Sequence, residues 1–388
     1  MLGPFLQRDF HWTHEQFAYL IVAFRLAYAT GQALMGRISD KLGTRNALSL
    51  SVAWYSLSAV LSPLASGLWS LCTFRFLLGI GESGNWPGAT KAVAEWFPKQ
   101  ERGWAVAFFD SGSAIGAAIA PILVLSLYHA FGSWRPALAV PGLLGFAWLI
   151  VWRLVYHSPE SHPRLTPEER AQYVADREKD RIKIEKPNWR ELLRLPTTWG
   201  IILGKSLTDP VWYFIADWFA IYLASQNVQL EQGILGFWIP FLSADVGNFA
   251  GGGFSSWLVR RGWDVVRARK AIIVVCGIGM TLLIPAAFTK DVPVIIALFS
   301  FSTCCYAAWS TMALTLPSDL YPTAAVASVS GLSGSGAGIV TIISTLLIGW
   351  AADHYSFKPV LIGASLVPLV ATACVLLLVK QPAAHETS

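Results

Sequence analysis

Stretches of about 20 apolar residues recur from one end of this 388-residue chain to the other. Each is long enough to cross the roughly 30 Å hydrocarbon core of a bilayer as a helix. They fall at about 15–35, 46–66, 68–90, 103–128, 134–156, 198–224, 234–258, 268–288, 293–316, 323–349 and 357–379. Lipid offers backbone groups no hydrogen-bond partner, so only helices and closed barrels span it. The runs are too long and continuous for barrel strands, which alternate over about ten residues. Charged residues make up 14% of the chain, against about a quarter in soluble domains. The expected fold is an all-α, polytopic membrane helix bundle of about eleven spans.

Orientation follows from the basic residues in the short connections. Arg37, Lys41, Arg45, Lys99, Arg102, Arg260, Arg261, Arg267, Arg269 and Lys270 fall on one side; only Arg8, Arg135, Lys290 and Lys358 fall on the other. The excess marks the cytoplasmic side of a cell membrane. The expected organisation is a helical half at 1–156 with five spans, a cytoplasmic linker at 157–197, a half of six spans at 198–380 and a cytoplasmic tail at 381–388. Within the linker, Thr166-Pro167-Glu168-Glu169 reads as a helix start. The net charge of +5 needs no nucleic acid, because the basic residues sit in these loops. The five cysteines lie in apolar spans, with no histidine at ligand spacing, so free thiols and no metal are expected.

An internal repeat relates the halves. EWFP at 95–98 is echoed by DLYP at 319–322, an offset of 224. SGSAIG at 111–116 is echoed by SGSGAG at 333–338, an offset of 222, and the basic loop around Gly43 by that around Gly262. Shifted back by this offset, the span at 234–258 lands on the first span, and the span at 198–224 lands before Met1. The expectation is a first half short of the helix that opens the second.

The run FRFLLGIGESGNW at 74–86 carries ionisable groups at membrane depth. Arg75, Gly79, Glu82 and Trp86 are spaced to share one helical face. Such groups are costly in lipid and face a partner or a wet cavity. The stripe either lines a substrate path, with Glu82 carrying a proton, or is an Arg–Glu pair that locks helices together; the first reading is preferred. Gly79, Gly81 and Gly84 match a nucleotide-loop spacing, but no strand precedes them, so they read as helix packing. In the loop Gly36–Arg45, the residues Gly36, Asp40, Gly43 and Arg45 suit a gate. The glycines let helix ends approach, and Asp40 suits a basic group or a helix N-terminus.

Gly36–Arg45 resembles the loop signature of the major facilitator superfamily. Arg75-x-x-x-Gly79-x-Gly81-Glu82 resembles its fourth-helix motif, and Ser111–Pro121 its Gly-rich fifth helix. WYFIADW at 212–218, WIPFLSADVGNFAGG at 238–252 and the basic loop at 260–270 resemble the anion:cation symporter branch, notably bacterial hexuronate and related galactonate and glucarate carriers. The resemblance covers essentially the whole chain. It implies two pseudo-repeated halves around a central cavity, with the first of the usual twelve helices absent. It also implies proton-coupled uptake of a sugar acid by alternating access, by a monomer that is no enzyme and needs no cofactor beyond the coupling proton. By position, Glu82 matches the family's proton acceptor, Arg75 its coupling arginine and Tyr28 a substrate contact. Ser113, Thr311 and Ser335 match polar positions on the fifth, tenth and eleventh family helices.

A sugar acid offers one carboxylate, several hydroxyls and an apolar ring face. Arg25, Tyr28 and Gln32 share one helical face, and Arg25 either binds the carboxylate or pairs with Asp110 or Asp217. These three charges stand where the family pattern has neutral residues. Trp86, Trp212, Tyr213 and Trp309 either stack on the sugar or pack and face lipid. Asn248 suits a hydroxyl, Lys205 suits the interface by snorkelling, and Asp209-Pro210 suits a kink. A non-transporting carrier remnant or membrane sensor is the alternative function, resting on the absent helix.

Overall fold

The computed structural model describes residues 6, 9–178, 182, 184, 187–225 and 234–380. The expected tail at 381–388 lies outside them, as does most of 179–186. Every regular element among the described residues is helical. Helix α1 (His14–Leu42) opens on a capping box: Gln16 N–H donates to Thr13 Oγ1 at 3.2 Å, and Thr13 N–H to Gln16 Oε1 at 3.0 Å. It ends at Gly43, whose φ of 76° turns the chain straight into α2 (Thr44–Leu61). Glycine alone adopts that angle without strain.

The expected span at 68–90 is two helices, α3 (Leu68–Glu82) and α4 (Asn85–Trp96). Pro87 has no N–H to give the carbonyl of Ser83, and Gly84 adds a flexible link. Helices α5 (Arg102–Phe131) and α6 (Arg135–Val155) complete the first half. Between the halves, α7 (Pro167–Glu178) carries a second capping box, with Glu169 N–H on Thr166 Oγ1 at 3.2 Å and Thr166 N–H on Glu169 Oε2 at 2.8 Å. A short α8 (Trp189–Leu192) follows. The second half holds α9 (Pro196–Ser225), α10 (Ile234–Arg260), α11 (Val265–Gly279, continued as a 3-10 helix to Ala287), α12 (Val292–Leu320), α13 (Val326–His354) and α14 (Phe357–Leu378).

Helices stand at all eleven expected spans. Seven stretches among the described residues are long and apolar enough to cross a bilayer. Large apolar side chains such as Ile122, Leu154, Leu346 and Leu377 point outward, as lipid-facing surface allows. The chain is a multi-pass membrane protein. All five cysteines are free.

The halves meet along two seams made by small residues, which let helix backbones approach. On the first seam α1 runs against α13: a Cβ on Gly36 would stand 3.2 Å from the Cα of Gly331. There Ala33 N–H donates to Ser335 Oγ at 2.9 Å. On the second, α5 runs against α10, and a Cβ on Gly103 would stand 2.8 Å from the carbonyl oxygen of Gly252. In the second half α9 packs on α12, α13 and α14 around a core that includes Phe214, Phe219, Phe299, Trp309 and Met312. In the first half no described helix packs on α4, α5 and α6 together. A groove of about 1590 Å³ lies there, walled by Trp104, Trp148, Trp152 and Tyr173 among others.

Candidate functional site

A cavity of about 710 Å³ lies between the halves. Helix α1 contributes Arg25, Tyr28 and Gln32, from positions three and four apart on one face. From α3 come Arg75 and Glu82, from α4 Trp86, and from α5 Asp110 and Ser113. The other half supplies Lys205, Asp209, Trp212 and Tyr213 on α9, Asn248 on α10, and Tyr306 and Ser310 on α12.

The charges in this cavity are unevenly paired. Arg25 reaches across the halves, with Nη2 2.7 Å from Asp217 Oδ2 and its guanidinium 5.6 Å from the centre of the Tyr213 ring. Asp217 itself stands behind Arg25 and does not line the cavity. Lys205 Nζ lies 2.6 Å from Asp209 Oδ2, and the Tyr306 hydroxyl donates to Asp209 Oδ1 at 3.2 Å. Arg75 and Glu82 feel each other's charge through space. Among the described residues they form no direct ion pair, so the locking-pair reading of the stripe does not describe this conformation. Trp212 stacks on Tyr306 at 5.9 Å between ring centres, and Trp86 meets Phe109 at 5.4 Å. The result is a charged chamber with aromatic walls. It can bind a small anion through a guanidinium or ammonium, and hydroxyls through amide and phenol groups.

Several residues singled out in the sequence stand elsewhere. Gly79 does not line the cavity: a Cβ there would lie 2.6 Å from the Phe24 carbonyl oxygen, so it is the contact point of α3 with α1. Trp309 is 0% exposed in the core of the second half, its indole N–H donating to Thr372 Oγ1 at 3.0 Å. The cavity face of α12 carries Tyr306, Ala307, Ser310 and Leu314, and Trp309 points away from it. Thr311 is buried behind the wall against Asn248, and Ser335 is taken by the α1 backbone. Several lining residues have no site role assigned from the sequence, Asp209 and Tyr306 among them. The sequence marks Asp209 through the kink at Pro210, and its i,i+4 spacing from Lys205 announces the pair as well. Tyr306 carries no charge and sits in an apolar run, so nothing marks it.

At the end bearing the basic loops the cavity is sealed. Asp40 takes Lys91 Nζ at 3.1 Å and accepts from the backbone N–H groups of Ser328 at 2.7 Å and Ala327 at 3.3 Å. Those N–H groups belong to the first turn of α13, where an anion is favoured. Asp319 lies between Arg269 Nε at 3.1 Å and Arg102 Nη1 at 3.3 Å, its side chain 1% exposed. Arg102 also donates to the Ser318 carbonyl at 2.6 Å, and Arg269 to Ser255 Oγ at 2.6 Å and the Lys99 carbonyl at 2.8 Å. These contacts tie α1 to α13 and α5 to α12. Gly43 makes the tight turn described above. Arg45 donates to the Arg153 carbonyl and holds α2 to α6 within one half. Toward the opposite end the cavity continues past Leu20 and Phe17.

A family model described as Major Facilitator Superfamily matches residues 1–339. A hexuronate transporter of Escherichia coli K12 is 30% identical over 371 residues, covering 92% of this chain and 83% of that protein. A D-galactonate transporter of Escherichia coli O6:H1 is 27% identical over 389 residues, covering 96% and 89%. In fold, the chain is similar to a proton:xylose symporter solved with a bromodeoxyglucose, with a TM-score of 0.78 at 14% identity, covering 98% of this chain and 91% of that one.

Proposed function

The chain belongs to the major facilitator superfamily, and we propose that it carries a sugar acid such as galacturonate or glucuronate across the cell inner membrane, together with protons, by alternating access. One observation carries this reading: a cavity between two pseudo-repeated halves, lined by Arg25, Arg75, Lys205 and Glu82, is sealed at one end by an ion pair and by hydrogen bonds to Asp40 that cross between the halves. The hexuronate and galactonate transporters among its relatives support the substrate class.

The substrate carboxylate is drawn to Arg25 or Lys205 and competes with Asp217 or Asp209 for them. Tyr28, Gln32, Ser113 and Asn248 meet hydroxyls, while Trp86, Trp212 and Tyr213 face the ring. Trp309, Thr311 and Ser335 support this wall from behind. Glu82 carries the proton: low dielectric penalises a charged carboxylate, so such a group exchanges a proton as its surroundings change. Arg75, two turns away on α3, opposes that protonation when it is near. Asp40 and Asp319 then release, and the sealed end opens.

The sealed end is read as cytoplasmic from its basic loops, together with the central segment and the C-terminus, so this conformation faces outward. The chain acts as a monomer with no cofactor but the proton. Uptake of labelled galacturonate into proteoliposomes tests the reading. Accumulation under an inward proton gradient, lost when the gradient is collapsed, is expected; uptake indifferent to the gradient would overturn proton coupling. A second reading, a non-transporting remnant or membrane sensor, predicts no uptake at all.

A further inference from the structure

Asp110 stands on α5 in the cavity wall, and among the described residues no cation lies within ion-pair distance of its carboxylate. The charged and titratable groups that face it come from the other half: Lys205 and Asp209 on α9, Asp245 on α10 and Tyr306 on α12. Lys205 is already held by Asp209 at 2.6 Å. Asp245 is a further carboxylate, not a counter-ion. The direct neighbour of Asp110 is therefore neutral, the side-chain amide of Asn248.

That amide has one orientation that satisfies its neighbours. With nitrogen toward Asp110, it donates to Asp110 Oδ2 at 3.1 Å, to Thr311 Oγ1 at 2.9 Å and to the Ala307 carbonyl at 3.1 Å. Turned over, its oxygen would face the Ala307 carbonyl and the Asp110 carboxylate, both acceptors, so the site supports the first orientation. The first arrangement suits a charged Asp110. It also suits a protonated Asp110, because a carboxylic acid keeps an accepting oxygen. The site is thus built for both protonation states, and the contact crosses from α5 of one half to α10 of the other.

Charge balance leads to the same residue. The lining cations are Arg25, Arg75 and Lys205; against them stand Glu82, Asp110 and Asp209 in the wall, and Asp217 on Arg25. A monoanionic substrate adds one more negative charge to a chamber already short of cations, and unbalanced charge at membrane depth is costly. Protons on Glu82 and on one further carboxylate restore neutrality, and Asp110 is the one without a cation.

We propose that Asp110 is a second proton-binding carboxylate on the transport path, and that its hydrogen bond from the Asn248 amide couples it to the other half. The proton comes from the open side onto Asp110 Oδ2 and leaves to the other side after the halves rock; no other bond changes. The proposal rests on the proton-coupled reading above.

Its test pairs two readouts on the purified chain. In proteoliposomes, proton influx is measured beside labelled galacturonate influx for wild type and Asp110→Asn. Wild type is expected to move about two protons per galacturonate and Asp110→Asn about one. In detergent, infrared difference spectra between about pH 5 and about pH 9 are expected to show a protonated-carboxyl band that Asp110→Asn removes. Asn248→Leu keeps the acid and is expected to shift that band, which guards against an aspartate variant that fails to fold. An unchanged proton ratio in Asp110→Asn, or a carboxyl band indifferent to both substitutions, overturns the proposal. If wild type moves no galacturonate, the transport reading falls while the infrared band still decides on Asp110.

Discussion

Glu95 on α4 and Asp319 on α12 occupy equivalent places in the repeat, 224 residues apart, and both carboxylates are buried at the same end of the bundle. Their company differs. Asp319 takes one guanidinium from each half, Arg102 and Arg269. Glu95 takes only neutral donors from its own half, the Thr44 hydroxyl at 2.7 Å and the Tyr156 hydroxyl. Arg45, which matches Arg269 at the same offset, turns instead to the Arg153 carbonyl, and its Nε is buried with no partner among the described residues. Tyr156 lies just past the end of α6. Burial, and then the Glu95 carboxylate beside it, push its hydroxyl far up, so it stays a donor. One repeated motif thus yields a fastener between the halves and an internal brace within one of them. The seal at this end is lopsided and depends on Asp319 and Asp40.

The widest expected effect follows from removing the fastener. Asp319→Ala leaves two buried guanidinium groups without a counter-ion, a loss of about 3–5 kcal/mol from the closed form. Thermal unfolding should drop, and a cysteine placed at Ser328 should label faster; unchanged melting and labelling would erase the proposed contrast. Glu95→Gln should cost about 1 kcal/mol, because the amide oxygen keeps one hydroxyl donor and the amide N–H can donate to the other hydroxyl oxygen. Labelling at Ser328 should then stay at the wild-type rate, and a rise equal to that of Asp319→Ala would make the two sites equivalent. Tyr156→Phe removes a single donor from a carboxylate that keeps Thr44. It should lower stability by about 0.5–1.5 kcal/mol, read from the same melts, with no effect between the halves.

Much of this architecture is legible in the chain itself. Apolar runs locate the helices, because lipid imposes length and continuity on them. The echo of EWFP in DLYP locates Asp319, and the spacing of Arg25, Tyr28 and Gln32 locates one cavity wall. Other features depend on helix rotation and on partners far along the chain. The partners of Asp40 are backbone N–H groups 287 and 288 residues away, which no local pattern displays. Trp309 and Tyr306 lie three residues apart on one helix, yet only Tyr306 faces the cavity, because packing with α14 fixes the rotation. The break at Ser83–Gly84 was signalled by Pro87, but the continuous apolar run hid it.

Charges at the sealed end are paired and desolvated, whereas Glu82 lines the chamber without an ion pair, and its proposed proton role rests on that distinction. The direct test is Glu82→Gln in proteoliposomes with labelled galacturonate. Exchange of internal for external substrate at equal pH should survive, while accumulation driven by an inward proton gradient should disappear. Gradient-driven accumulation at the wild-type level in Glu82→Gln would contradict the assignment of the proton to this carboxylate.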